Sequence, residues 1–295
     1  MELRHLRYFR VVAELQHFHK AANALCISQP ALSSQIKQLE EELNTKLFER
    51  VGRSVRLSES GELVLSSAKM ILNQVELMRE SVSDIESGNS GSLRIGVLQS
   101  ISALYLRQLV IDFDRRYPNI SLHIEELPNH QIESKVSLGE IDVGIGFILQ
   151  REYKNVEFET LFSEKWKLVV APQHELLVAD IMQGKSHNLK AILLPEYFES
   201  RKVVNRYFAA NNIQFKQITE VNSISCILDL VENGDAFTVL PEAFSVLNAR
   251  HSLRSFYLDP ELQARNIGFL IGKDRAQKSS VGKFRELFYE YLKNR

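Results

Sequence analysis

Phe18-His-Lys-Ala-Ala-Asn-Ala-Leu-Cys-Ile-Ser-Gln-Pro-Ala-Leu-Ser-Ser-Gln-Ile-Lys-Gln-Leu-Glu40 decides the fold of the N-terminal part of this chain. It reads as a helix, a tight turn and a second helix. Ser28 followed by Pro30 is a helix-start signal: the serine oxygen can take an orphan backbone N–H, and proline has none to orphan. Beyond it Leu32, Ile36, Leu39 and Leu43 recur at helical spacing and should face a core. The opposite face carries Gln29, Ser33, Ser34 and Lys37, polar groups of the size a helix needs to read base edges in the major groove. Ala21, Ala22 and Ala24 are small enough to let the two helices cross closely. A solvated helical hairpin would carry the same pattern, and the next stretch separates the two readings.

In Lys46-Leu-Phe-Glu-Arg-Val-Gly-Arg-Ser-Val-Arg-Leu-Ser-Glu-Ser-Gly61, Gly52 sits between two short apolar runs, which predicts a hairpin with Arg50, Arg53 and Arg56 near its tip. A basic hairpin beside a recognition helix is a wing, placed to touch phosphates or the neighbouring minor groove. Together with Leu3-x-x-Leu6-x-x-Phe9, Ala21-Ala22, Ser28-Gln-Pro-Ala-Leu-Ser33, Ile36-x-x-Leu39-Glu40 and Leu47-Phe48-x-Arg50, the chain resembles the LysR-type bacterial transcriptional regulators. Ser28, Gln29, Pro30, Ser33, Ser34, Lys37, Arg50 and Arg53 are then the expected contacts to double-stranded DNA. One departure stands out. Where the family usually has Gly-Ser-Phe-Thr before the first hairpin helix, this chain has Gln16-His17-Phe18-His19. The missing hydroxyl should cost that helix start about 0.5–1 kcal/mol unless a histidine supplies the cap.

Composition fits but would not find this reading. A chain of 295 residues, 44% hydrophobic and 25% charged, can bury a large core and form more than one domain. Net charge is −1, yet residues 1–58 hold nine Lys/Arg against six acids, so a +3 head precedes a −4 body. That favours binding by a focused surface. Cys26 and Cys226 match no metal-ligand spacing and read as small buried residues. Met1–Leu15, studded with Arg4, Arg7, Arg10 and Glu14, does not read as a secretory signal, and no apolar run approaches membrane-spanning length. The expected location is the cytoplasm, with no membrane partner.

From Ser58 to Gly88 the pattern becomes one long helix. Leu57, Val64, Ile71, Met78 and Ile85 recur every seven residues, with Ala68, Val75 and Val82 as an offset second series. Such an a/d seam predicts a homodimer, or a homotetramer built from it, on a partly palindromic operator. Gly88-Asn-Ser-Gly-Ser92 reads as a hinge. The resemblance agrees, since LysR-type regulators pair subunits through a linker helix here. The domains expected are a winged helix-turn-helix over 1–58, an all-α unit apart from its wing; the linker helix and hinge over 59–91; and an effector-binding domain over 92–295.

Beyond the hinge, strands at 93–97, 121–125, 141–147, 167–171, 191–194, 217–221, 237–240 and 266–271 alternate with helices at 104–117, 131–138, 201–210, 224–232, 241–247 and 281–292. This order implies an α/β fold with a mostly parallel sheet. The resemblance implies a periplasmic-binding-protein architecture, lobe I over 92–163 and 267–295 and lobe II over 166–265, around a small-molecule cleft. Ligands of open α/β sheets collect at the carboxyl ends of strands and at helix N-termini. That selects Ser100, Ile101 and Ser102 after the first strand, Asn129 after the second, Phe147 at the end of the third, Ser200 and Arg201 at a helix start, and Asn222. Hydroxyls beside Arg201 would suit an anionic effector. Phe198-x-Ser200-Arg201 and Val221-Asn-Ser-Ile-Ser225 also look similar to the cyanate-responsive branch of the family.

Enzyme motifs are missing from the chain: no Gly-rich phosphate loop, no His-Glu-x-x-His, no Gly-x-Ser-x-Gly. The eight histidines are scattered, and neither a metal nor a cofactor is expected. The function expected is a sequence-specific DNA-binding transcriptional regulator switched by a small-molecule effector, contacting RNA polymerase if it activates. Two alternatives stand beside it: a redox-sensing regulator using Cys226, and a solute-binding or carrier protein built from residues 92–295.

Overall fold

The computed structural model describes residues 1–51, 54–87, 91–148, 155–174, 190–244, 252–258, 264–276 and 278–294. The chain divides into two compact units, residues 1–91 with 137–140, and the remainder.

The first unit is built from α1 (Leu3–Leu15), α2 (Phe18–Ala24), α3 (Gln29–Leu43), the hairpin β1 (Phe48–Val51) and β2 (Ser54–Leu57), and the long α4 (Glu59–Ser87). Leu6, Phe9 and Val12 of α1, Ala21 and Ala22 of α2, and Leu32, Ile36 and Leu39 of α3 are buried in one core with Leu47, Ala68 and Leu72. Each large side chain in it contributes about 1.5–3 kcal/mol. Ser28 caps α3 as expected, its Oγ accepting from the Ala31 N–H at 3.3 Å. His17 is the N-cap of α2 but its side chain makes no cap hydrogen bond, so the hydroxyl lost there is not replaced. Leu57 lies on β2 rather than on the long helix, and Ala68 turns into the core of its own chain. Ile71, Met78 and Val82 of the expected seam are exposed.

Two contacts hold α3, the wing and α4 together. The Glu40 carboxylate accepts from the Leu47 N–H at 2.9 Å and from Lys46 Nζ at 2.7 Å. Gly61, in the first turns of α4, passes so close to the wing strand that a Cβ would stand 2.1 Å from the Leu47 carbonyl oxygen. Only glycine fits there.

In the second unit a five-stranded sheet has the order β4-β3-β5-β12-β6, from β3 (Gly91–Val97), β4 (Ile120–Glu126), β5 (Val143–Phe147), β6 (Val156–Glu164) and β12 (Arg265–Gly272). Between β3 and β4 run a short α5 (Gln99–Ile101), a π turn (Ser102–Leu106) and α6 (Arg107–Arg116); α7 (Asn129–Ser137) follows β4. Lobe II holds a three-stranded sheet β10-β7-β11, from β7 (Trp166–Val170), β10 (Thr238–Pro241) and β11 (Arg254–Tyr257), and a parallel pair of β8 (Lys190–Leu193) and β9 (Gln217–Glu220). Its helices are α8 (Glu199–Ala210) and α9 (Ile224–Glu232), and α10 (Ser279–Lys293) returns to lobe I.

The expectation of a mostly parallel sheet needs correction. β3 and β5 are parallel, but β12 runs antiparallel to both β5 and β6, and β7 is antiparallel to both its neighbours. The reason is the connection. A chain that leaves lobe I along β6 and returns along β12 must come back in the opposite sense. The helix expected from Pro241 begins as a 3-10 turn at residues 242–244, and residues 245–247 lie outside the described residues. Both cysteines are exposed rather than buried. On α9 the buried stripe is Ile224, Ile227, Leu228 and Val231, and Cys226 falls off it; Cys26 sits in the turn after α2 at φ 54°.

The base of lobe I is tied by one carboxylate. Asp142, fully buried, accepts from the Arg94 N–H at 2.8 Å and meets Arg94 Nη2, Arg275 Nη1 and Lys278 Nζ, each at 3.1 Å. Burial pushes its carboxyl up, but Lys278 and Arg94 outweigh that and hold it below the usual carboxylate range. A folded-state value below the unfolded one gives stability that is present above about pH 4 and lost as pH falls through the lowered value. Asp142→Asn removes the anion these cations share. It should cost roughly 3–5 kcal/mol at neutral pH and abolish this share of the acid sensitivity, as read by denaturant unfolding. Unfolding at the wild-type midpoint would show that Asp142 is not a tie.

Candidate functional site

Two surfaces carry the chemistry. On α3, Leu32, Ile36 and Leu39 are buried while Ser28, Gln29, Pro30, Ser33, Ser34 and Lys37 are all exposed along one side. Lys37 also pairs with Glu41 at 3.3 Å, one helical turn on. Arg50 lies on β1 in register with Val55, and Arg53 lies outside the described residues. The start of α3 thus offers a row of hydroxyl, amide and ammonium groups on a helix held rigidly from behind.

The second surface is a cavity of about 160 Å³ between the two lobes. Lobe I gives it Leu98, Ser100, Asn129 and Phe147; lobe II gives Phe198, Ser200, Asn222, Ile224 and Phe244. The cation among the described residues of its lining is Arg265, at the start of β12. Arg265 Nε donates to Glu164 Oε2 at 2.5 Å, Nη2 to Ser100 Oγ at 3.1 Å and Nη1 to Ser200 Oγ at 3.4 Å. Its guanidinium lies 6.0 Å from the Trp166 ring centroid. Burial presses its pKa down and Glu164 works against that. The guanidinium stays charged all the same.

Of the expected effector contacts, Ser100, Asn129, Phe147, Ser200 and Asn222 line this cavity, whereas Ile101, Ser102 and Arg201 do not. Ile101 is wholly buried in the core of lobe I, and the Ser102 hydroxyl is taken by Glu126. Arg201 is the larger correction. It is buried in lobe II, donating to Asn205 Oδ1 at 2.7 Å, the Leu194 carbonyl at 2.6 Å and Glu220 Oε1 at 2.9 Å. Its place on the first turn of α8 turns its side chain back along the helix toward β8 and β9. Asn129 is also engaged: its amide brackets the Phe147 backbone, accepting from N at 2.6 Å and donating to O at 3.0 Å, and donates to Glu133 at 2.6 Å. It shapes the wall more than it offers a free group. Arg265 escapes the rule of strand carboxyl ends and helix starts because it is the first residue of a strand. A lone arginine opening an apolar strand at the return crossing was the available signal.

Among the described residues no helix is long and apolar enough to cross a membrane. Cys226 has only Cys26 as a possible partner in the sequence, and Cys26 belongs to the other unit, so the effector domain of one chain cannot form an internal disulfide.

Comparison with known proteins finds matches to both parts of the chain. The family description "Bacterial regulatory helix-turn-helix protein, lysR family" matches residues 3–62, and "LysR substrate binding domain" matches residues 86–293. A hydrogen peroxide-inducible genes activator of Pectobacterium carotovorum subsp. carotovorum is 32% identical over 262 residues, covering 85% of this chain and 82% of that protein. A probable RuBisCO transcriptional regulator of Thalassiosira pseudonana is 32% identical over 240 residues, covering 79% of this chain and 78% of its own. Among solved structures, a cysteine-to-aspartate variant of full-length OxyR from Pseudomonas aeruginosa aligns with TM-score 0.70 at 24% identity over 98% of both chains. Full-length CbnR in complex with its target DNA aligns with TM-score 0.67 at 20% identity, over 98% of this chain and 99% of its own. These two likenesses show the fold. The likeness to the cyanate-responsive branch finds no support in these relatives, and the arginine it rested on faces away from the cleft. Helix-turn-helix, effector domain and relatives converge: this chain belongs to the LysR family of DNA-binding transcriptional regulators.

Proposed function

We propose that the chain reads a partly palindromic operator as a homodimer through Gln29, Pro30 and Ser33 at base edges, with Ser34 and Lys37 nearer phosphates and the wing alongside. The exposed polar side of α3 carries this reading, because its opposite side is wholly committed to the core. The dimer reading rests on Ile71, Met78 and Val82, which lie exposed on α4 at spacings of seven and four while Ala68 and Leu72 face their own core. A small molecule in the cleft, touching Ser100, Ser200, Asn222 and Arg265, would bias one arrangement of the lobes. It can do so only by its difference in affinity for the two arrangements.

Gln29→Ala should lose about 1–3 kcal/mol of discrimination at one base pair, and Lys37→Ala should weaken all sites alike and reduce the salt slope by about 1. Binding measured on operator variants across a salt series separates the two; unchanged sequence preference in the glutamine variant would remove Gln29 from base readout.

Replacing Ile71 and Met78 together by Lys sets like charges across the seam. Light scattering should then report monomers, with operator affinity reduced by the loss of the second head. A double variant that remains dimeric would reassign these residues to another contact.

A further inference from the structure

Among the described residues the cleft is not an electropositive site. Arg265 is the cation among the described residues that line the cavity, and its charge is already met by Glu164, which is itself buried. Glu126 and Glu199 lie on the same lining; Glu199 is matched by Lys202 at 2.8 Å, and Glu126 is exposed at the rim. A carboxylate entering beside Arg265 would be a second anion sharing one buried cation. Its lost hydration would not be offset by a free positive charge. The local surplus is on the acceptor side too: Glu164 Oε1 is buried with no hydrogen-bond donor among the described residues. Ser100 and Ser200, by contrast, spend their oxygens on Arg265 and keep their hydroxyl protons to donate. That combination suits a neutral oxygen. Leu98, Phe147, Phe198, Ile224 and Phe244 supply an apolar wall, and a cavity near 150 Å³ holds a benzene-sized body.

We infer that the effector of this protein binds uncharged, as a small molecule with a neutral hydrogen-bonding head, such as a carboxamide or alcohol, on an apolar body about the size of one ring. The inference rests on the cleft being the effector site. It replaces the anionic effector expected from Arg201, since among the described lining residues the charge left after internal pairing, that of Glu126, is negative.

Matched probes test it on the full-length protein. Trp166 is the single tryptophan of the chain and lies beside Arg265, so its fluorescence reports occupancy of the cleft. Benzamide is compared with benzoate, and isovaleramide with isovalerate, by fluorescence titration and by the shift in melting temperature at neutral pH. In the wild type each amide should bind at least about tenfold more tightly than its carboxylate. Glu164→Gln frees the Arg265 charge and should move that ratio toward the carboxylate by at least about tenfold. Should this variant fail to fold, the wild-type ratios decide alone. A wild type that prefers either carboxylate, or a folded Glu164→Gln protein with unchanged ratios, would overturn the inference while leaving the cleft as the effector site. If no member of either pair moves Trp166 fluorescence or the melting temperature, the cleft reading fails and this inference fails with it.

Discussion

Glu164 and Arg265 face each other in register across β6 and β12, where the chain leaves lobe I and where it returns. A buried ion pair is costly to desolvate, and it persists only where its remaining donors are satisfied. Here Ser100 from lobe I and Ser200 from lobe II satisfy them, so one guanidinium touches both lobes at the bottom of the cleft. The charge that the bottom of the cleft presents follows from this pair. A ligand that competes for those hydroxyls acts on the same few bonds that set the relation of the lobes, which is the kind of differential contact a switch requires.

The DNA-binding unit depends on a different constraint, close approach. Glu40 ties the end of α3 to the first residues of the wing, and Gly61 lets α4 touch the Leu47 carbonyl. α3, the wing and the start of α4 are thereby tied to one another. Readout of bases gains from such preorganisation, because little side-chain or backbone freedom is lost on docking. The distribution of charge acts at longer range: a +3 head on a −4 body directs the chain toward phosphates by one end.

Much of this was legible in local pattern. The α3 stripe of Leu32, Ile36 and Leu39, the Ser28 cap and the wing residues can be read directly, since each depends on neighbours within a turn or two. Most strands and helices of the second unit were legible for the same reason. β6 was missed although Val156-Glu-Phe-Glu alternates with period two, and β11, only four residues long, was missed as well. Cys226 is exposed although it stands in an apolar run, because α9 buries one stripe, Ile224, Ile227, Leu228 and Val231, and Cys226 lies off it.

Local sequence therefore determined the family, the order of elements and the polar side of α3, because helical periodicity, capping and turn chemistry act between residues close along the chain. Tertiary structure alone decided which arginine faces the cleft. Arg201 stands at a helix start and Arg265 opens a strand, and nothing local says which of the two faces the cleft. Arg201 is drawn into lobe II by Leu194 and Glu220, while Arg265 is held at the cleft by Glu164, a residue 101 positions away in the chain. The charge of a binding site is a sum over such distant partners, and that sum exists only once the chain has folded.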